Sequence, residues 1–205
     1  MEHRQIVFQQ GDVSPVVLVL EGHVAMRRTT VEGRQLMTRI VGQGQLTGIL
    51  ALANRPAPAD AVGLTAARLL AWSAPALHPF AADDAGLALD MLSHVLDAFE
   101  TVVGSLDGLL YQDALGRVAR TLFHHRQLFF ADEPALTRAD LPTVVGTSRE
   151  MTGRVLRALE ERGIVARTGR FTLRLLDPDG LESIARRAAA PTSGRARANE
   201  TLRRC

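Results

Sequence analysis

Residues 144–163 read VVGTSREMTGRVLRALEERG, and the order of residue types in that stretch decides the fold. Gly146 interrupts an apolar run. Ser148 stands where a side-chain oxygen caps the next helix, with Met151 at the position where a capping box places Glu. Beyond it Val155, Leu156 and Leu159 form an apolar stripe, whereas Arg149, Glu150 and Arg154 fall on the opening turns. A helix that only fills a core has no need of charges there. Upstream, Thr137 is expected to cap a shorter helix with Asp140 at its N3 position; downstream, Thr168-Gly169-Arg170 marks a hairpin. Two short helices split by a glycine turn and followed by a hairpin predict a winged helix-turn-helix.

Working toward the N-terminus, DALGRVARTLFHH predicts a helix from Asp113 to about His125. Before it, Leu89, Leu92, Leu96, Phe99, Val103, Leu106 and Leu110 recur with alternating spacings of 3 and 4, the seam of a coiled coil held over three heptads. Val95, Val102 and Leu109 widen that face, which is expected to meet a partner helix along the seam and the preceding domain along the flank. Asp83-Asp84 supplies the helix start. Gly104 and Gly108 each cost about 1 kcal/mol relative to Ala, so the turns before Tyr111 are expected to be the weakest.

The first 75 residues have another texture. Short apolar runs (QIVF, VVLVL, HVAM, QLMTRIV, AARLLAW) are divided by Gly11, Gly22, Gly33 and Gly44 at an even spacing of eleven. Such spacing predicts short strands and tight turns in an all-β roll, with a hairpin at Glu32-Gly33. The fold class is therefore α+β: a β-roll over 1–82, a long dimerisation helix over 83–111, a winged helix-turn-helix over 112–190 and a basic tail over 191–205. Residues 186–205 hold six Arg and little apolar content, and read as disordered from Arg186 onward.

Charge is divided in the same way. Residues 1–110 carry 7 Arg against 11 acidic residues, and residues 111–205 carry 17 against 11. A basic half joined to an acidic half is the footprint of contact between one part and an anionic polymer. No apolar run of about 18 residues is present to span a bilayer, so no membrane partner and a cytoplasmic location are expected. The single cysteine, Cys205, excludes an internal disulfide and a cluster held by several thiolates. A metal-dependent jelly-roll enzyme needs His and Glu ligands clustered on adjacent strands, and the strand-forming runs offer only His23; no catalytic or metal site is expected.

In a helix-turn-helix the second helix enters the major groove with its N-terminal residues leading, so base readers belong on its first turns. Arg149 and Arg154 can donate to guanine acceptors, and Glu150 can accept from a cytosine amine. A carboxylate facing phosphates is unfavourable unless it meets such a base, so Glu150 points to sequence-specific reading. Thr137, Arg138, Ser148, Thr168 and Arg170 are expected on phosphates, fixing register without reading sequence. A dimer that uses the winged helix to bind protein instead is the alternative from a different class.

The stretch VVGTSREMTGRVLRALEERGIV resembles the helix-turn-helix of the cyclic-AMP receptor protein and fumarate-nitrate reductase regulator superfamily, whose recognition helix carries the same S-R-E-x-x-x-R pattern. The resemblance extends through QDALGRVARTL, the long helix, and the QGD and LEG turns of the roll. It implies a homodimer on a pseudo-palindromic duplex, and contact with RNA polymerase at promoters. It also exposes departures. Cyclic-nucleotide binders of the family open a phosphate cassette with glycine-glutamate-leucine, follow it with arginine-serine, and place hydroxyl residues on the dimer helix. Here those positions read Gly48-Ile49-Leu50, Ala59-Asp60 and Val102-Val103. Arg and Ser are what a cyclic phosphate needs, and Asp60 would repel it, leaving only Arg55 nearby as a substitute. Control by cyclic nucleotides is not expected: the positions Ile49, Leu50, Leu52, Val102 and Val103 suggest a pocket packed shut or one that takes an apolar effector. No cofactor is expected. The alternative is a haem-sensing regulator, with His3, His23, His78, His94, His124 and His125 as candidate ligands in no specific pattern.

Overall fold

The computed structural model describes residues 5–189. It divides into two compact units, Met1–Ser105 with Ala139–Gly146, and Leu106–Arg138 with Thr147–Cys205.

The first unit begins with seven strands: β1 (Ile6–Phe8), β2 (Val16–Glu21), β3 (Val24–Thr29), β4 (Gln35–Val41), β5 (Leu46–Thr47), β6 (Asp60–Gly63) and β7 (Arg68–Trp72). They form two antiparallel sheets, ordered β1-β6-β3-β4 and β5-β2-β7. All four regularly spaced glycines fall between strands with left-handed backbone: φ is 93° at Gly11, 81° at Gly22, 76° at Gly33 and 77° at Gly44. Gly22 is the most constrained, because a Cβ there would collide with the Ala66 carbonyl oxygen. At the β3–β4 hairpin, Gly33 N–H donates to Thr30 O at 2.9 Å and Thr30 N–H to Arg34 O at 2.9 Å.

The run VVLVL of β2 is apolar on both faces because both are covered. Val17 and Val19 enter the roll with Phe8, Val24, Met26 and Val41. Val16 packs on the other side with Leu46 and Met91, joined by Leu18, Ile49 and Leu52. Ile49–Ala53 is a 3-10 helix.

Two helices follow, α1 (Ala74–Asp83) and α2 (Ala85–Tyr111). The first was not expected: APALHPFAAD carries Pro79 in its interior, which argues against a helix in sequence, although Pro75 in the first turn is compatible with one. Asp84 caps α2, accepting from Gly86 N–H at 2.8 Å and Leu87 N–H at 3.1 Å, and the helix is continuous to Tyr111 despite Gly104 and Gly108. One expectation is corrected. The flank of α2 against the roll is built by Leu87 and Met91. Val95 and Val102 are exposed.

The second unit contains α3 (Ala114–His124), α4 (Arg126–Phe129), α6 (Arg149–Glu161), the hairpin β8 (Val165–Arg167) and β9 (Leu173–Leu175), and α7 (Pro178–Ala189); α5 (Leu141–Val145) precedes α6 in the chain. Val118, Leu122, Phe129, Leu136, Leu159, Val165 and Leu181 are almost wholly buried here. Residues 186–189 are helical, which corrects the reading of a tail from Arg186. Helix α7 packs on α3 through buried Leu181 and Ala185, apolar content too sparse to announce a helix in sequence. The tail 191–205 lies outside the described residues. No helix among the described residues is long and apolar enough to cross a membrane.

Candidate nucleic-acid interface

Helix α5 starts at Leu141 with Asp140 at the N-cap, later than a cap at Thr137 would place it. Pro142 is the reason. A helix from Arg138 would put the proline ring against the Arg138 carbonyl and leave that carbonyl without its donor, whereas the first turn accepts proline freely. Gly146 closes the helix with φ 69°, its N–H donating to Pro142 O at 3.0 Å. Ser148 then caps α6 as expected, its Oγ accepting from Met151 N–H at 3.1 Å.

Helix α6 is divided by burial. Thr152, Val155, Leu156 and Leu159 are buried, and Ser148, Arg149, Glu150, Arg154 and Arg157 are exposed. Glu150 and Arg154 form an i,i+4 pair at 3.2 Å, with both side chains more than half exposed. Such a surface pair contributes a few tenths of a kcal/mol and opens readily. Arg157, one turn further on the same exposed side, was not singled out in the sequence because it lies past the capped first turns.

The wing is braced to this helix by a contact that no sequence pattern announced. Glu160 accepts from Arg167 Nε at 2.6 Å, from Arg167 backbone N–H at 3.1 Å, and from the remaining guanidinium nitrogen. The hydrogen bond from Arg167 holds the Glu160 carboxyl below its ordinary range, with the charges of Arg167 and Arg138 adding to it against partial burial. A depressed carboxyl stabilises the fold above the unfolded-state pKa, about 4.3, and loses that contribution as pH falls through the folded value. Glu160→Gln is therefore expected to lower the thermal midpoint at neutral pH and to flatten its decline on acidification below about pH 4.3. Calorimetric scans against pH measure both; parallel curves would remove the pair from the stability of the wing.

Of the expected phosphate contacts, Thr137 and Arg138 adjoin the wing residues Thr168 and Arg170. Arg138 Nε donates to Arg170 O at 2.8 Å and Arg138 N–H to Phe171 O at 3.0 Å, so Arg138 and the wing tip form one segment of surface. The Arg170 guanidinium lies over the Phe171 ring at 5.1 Å. Thr168 N–H donates to Thr172 O at 3.3 Å and closes the hairpin.

The seam residues Leu89, Leu92, Leu96, Phe99, Val103, Leu106 and Leu110 are all uncovered, from 38% exposed at Val103 to 71% at Leu110. The six positions grouped as a degenerate effector pocket have different surroundings. Ala59 is buried inside the roll. Asp60 accepts from Gln10 N–H at 2.8 Å and pairs with Arg27 at 3.7 Å. Ile49 packs outside the roll, while Leu50, Val102 and Val103 are exposed. Of the candidate haem ligands, His78 bonds Leu52 O at 3.0 Å and His124 bonds Arg120 O at 2.9 Å. Burial pushes the His23 imidazole below its ordinary pKa, and His3 lies outside the described residues.

Residues 1–84 match the family model of the cyclic nucleotide-binding domain, and residues 116–184 that of the Crp-like helix-turn-helix domain. The cyclic AMP receptor protein of Thermus thermophilus is 31% identical over 188 residues, spanning 87% of this chain and 83% of the relative. A CRP-like cAMP-activated global transcriptional regulator of Mycobacterium tuberculosis is 26% identical over 191 residues, with 89% and 84% covered. The crystal structure of a CRP/FNR-family transcriptional regulator from Thermus thermophilus superposes with a TM-score of 0.79 at 24% identity, covering 91% of this chain and 96% of that one. A roll of the cyclic nucleotide-binding type joined to a Crp-like helix-turn-helix defines a DNA-binding transcription regulator, a class without enzymatic members among these relatives. The chain belongs to the CRP/FNR family.

Proposed function

We propose that the protein acts as a homodimer that reads a pseudo-palindromic operator with Arg149, Glu150 and Arg154, and that it needs no cyclic nucleotide to do so. The observation that carries the reading is the division of α6: a Ser148-capped first turn with charged, exposed side chains on one side and a buried apolar face on the other. Thr137, Arg138, Ser148, Thr168 and Arg170 are the phosphate contacts in this reading. The uncovered seam of α2 supports the dimer.

The effector part rests on the cassette positions. Both relatives described above carry cyclic AMP in their names, yet Ala59-Asp60 replaces the arginine-serine pair, and the Asp60 carboxylate already accepts from Gln10 and pairs with Arg27. Charge-assisted hydrogen bonds are worth about 1.5–3 kcal/mol each, so losing several removes a micromolar site. The expected result is that the purified protein footprints a palindromic site unaided, and that millimolar cyclic AMP or cyclic GMP leaves the affinity unchanged. A complex that forms only after a nucleotide is added overturns the effector part. Protection without symmetry or sequence preference overturns the operator part.

A further inference from the structure

We propose that the cavity between the outer face of the β5-β2-β7 sheet and helices α1 and α2 binds a neutral, mainly apolar small molecule carrying one hydrogen-bond donor, with His94 as the acceptor. The cavity measures about 440 Å³, within the range of small-molecule sites. Its walls are apolar and aromatic: Val16 and Leu18 of β2, Trp72 of β7, Phe80 of α1 and Met91 of α2. Asp90 and His94, one helical turn apart on α2, bring hydrogen-bond acceptors to it, and the Trp72 indole brings a single N–H.

His94 supplies the second observation. Its Nδ1 is shielded from solvent and has no hydrogen-bond partner in the protein. A buried polar atom without a partner is unfavourable, and a donor from a ligand in the adjoining cavity removes that penalty. Asp90 sets the sign of the polar group. A carboxylate accepts hydrogen bonds and repels anions, so a hydroxyl is favoured and an acid disfavoured. In the Nε2–H tautomer, His94 Nδ1 is likewise an acceptor.

The site is distinct from the roll interior where Ala59 is packed, and on α2 it lies away from the seam. At about 100° per residue, Leu87, Met91 and His94 lie on the side of α2 opposite Leu89, Leu92, Leu96 and Phe99. The inference does not depend on the operator reading, because binding is measured without DNA.

Trp72, the single tryptophan of the chain, lines the cavity and reports occupancy by its fluorescence. Titration of the full-length protein with 4-butylphenol is expected to give a saturable change. Its methyl ether, which lacks the donor, should bind about tenfold more weakly, the worth of one well-placed hydrogen bond. The 4-butylbenzoate anion should be weaker again. His94→Phe, checked for an unchanged circular dichroism spectrum, should bring the phenol to the level of the ether, and Leu18→Phe should weaken both by filling the cavity. No saturable change with the phenol, a preference for phenol that survives His94→Phe, or binding unaffected by Leu18→Phe would each overturn the proposal.

Discussion

Phe99→Asp is expected to sediment as a monomer and to bind the operator on the order of a hundredfold more weakly than the unaltered protein, because two half-sites no longer share one ligand. Phe99 is 63% exposed in the single chain, so the substitution removes little from the fold of the protomer. In a dimer built on the seam it places two carboxylates in apolar surroundings near the symmetry axis. Desolvating charges without partners costs several kcal/mol. Equality of thermal midpoints for the variant and a dilute, dissociated wild type would separate lost assembly from lost folding. Sedimentation equilibrium showing an unchanged dimer would take the α2 seam out of the interface and leave its exposed row of Leu and Val unexplained.

That seam illustrates what a sequence discloses best. A repeat of 3 and 4 is a property of one element, and α2 displays it without reference to anything else. The four glycines of the roll are similar: each reports a local backbone requirement, and all four have positive φ. Ser148 and Asp84 read correctly as caps because the acceptor and the N–H it serves are three residues apart. Failures occurred where a distant partner or a competing local constraint decides. Pro142 outweighed Thr137 in setting the start of α5. Helix α7 owes its existence to α3, against which its few apolar residues are packed. The Glu160–Arg167 brace joins a helix to a strand seven residues on and has no sequence signature. The effector positions are related by family pattern and not by any local signal: Ala59 lines the inside of the roll, Ile49 packs outside it and Val102 is exposed. One cavity of the first unit is lined by β2, β5, β7, α1 and α2, a convergence that required the unexpected helix α1.

Removing the reader side chains should separate specific from general affinity. Arg149→Ala and Arg154→Ala are each expected to lose about 1–3 kcal/mol at the operator and markedly less on random duplex, since a bidentate contact to guanine discriminates bases whereas a phosphate contact does not. The three residues differ in their free state. Arg154 is paired with Glu150 at 3.2 Å, and that exposed pair is too weak to prevent either partner from turning to a base. Arg154→Ala also leaves Glu150 without its neighbouring cation, close to an anionic duplex, so its loss should exceed that of Arg149→Ala. Glu150→Ala removes a carboxylate from a negatively charged surface. It should keep or raise affinity for random DNA while relaxing the preference at one base pair of each half-site. Competition binding at a fixed salt concentration, with operator and random duplex in parallel, measures all three. Equal losses on both duplexes for the two arginine variants, together with an unchanged base preference in Glu150→Ala, would mean that the face of α6 neutralises phosphate and reads nothing.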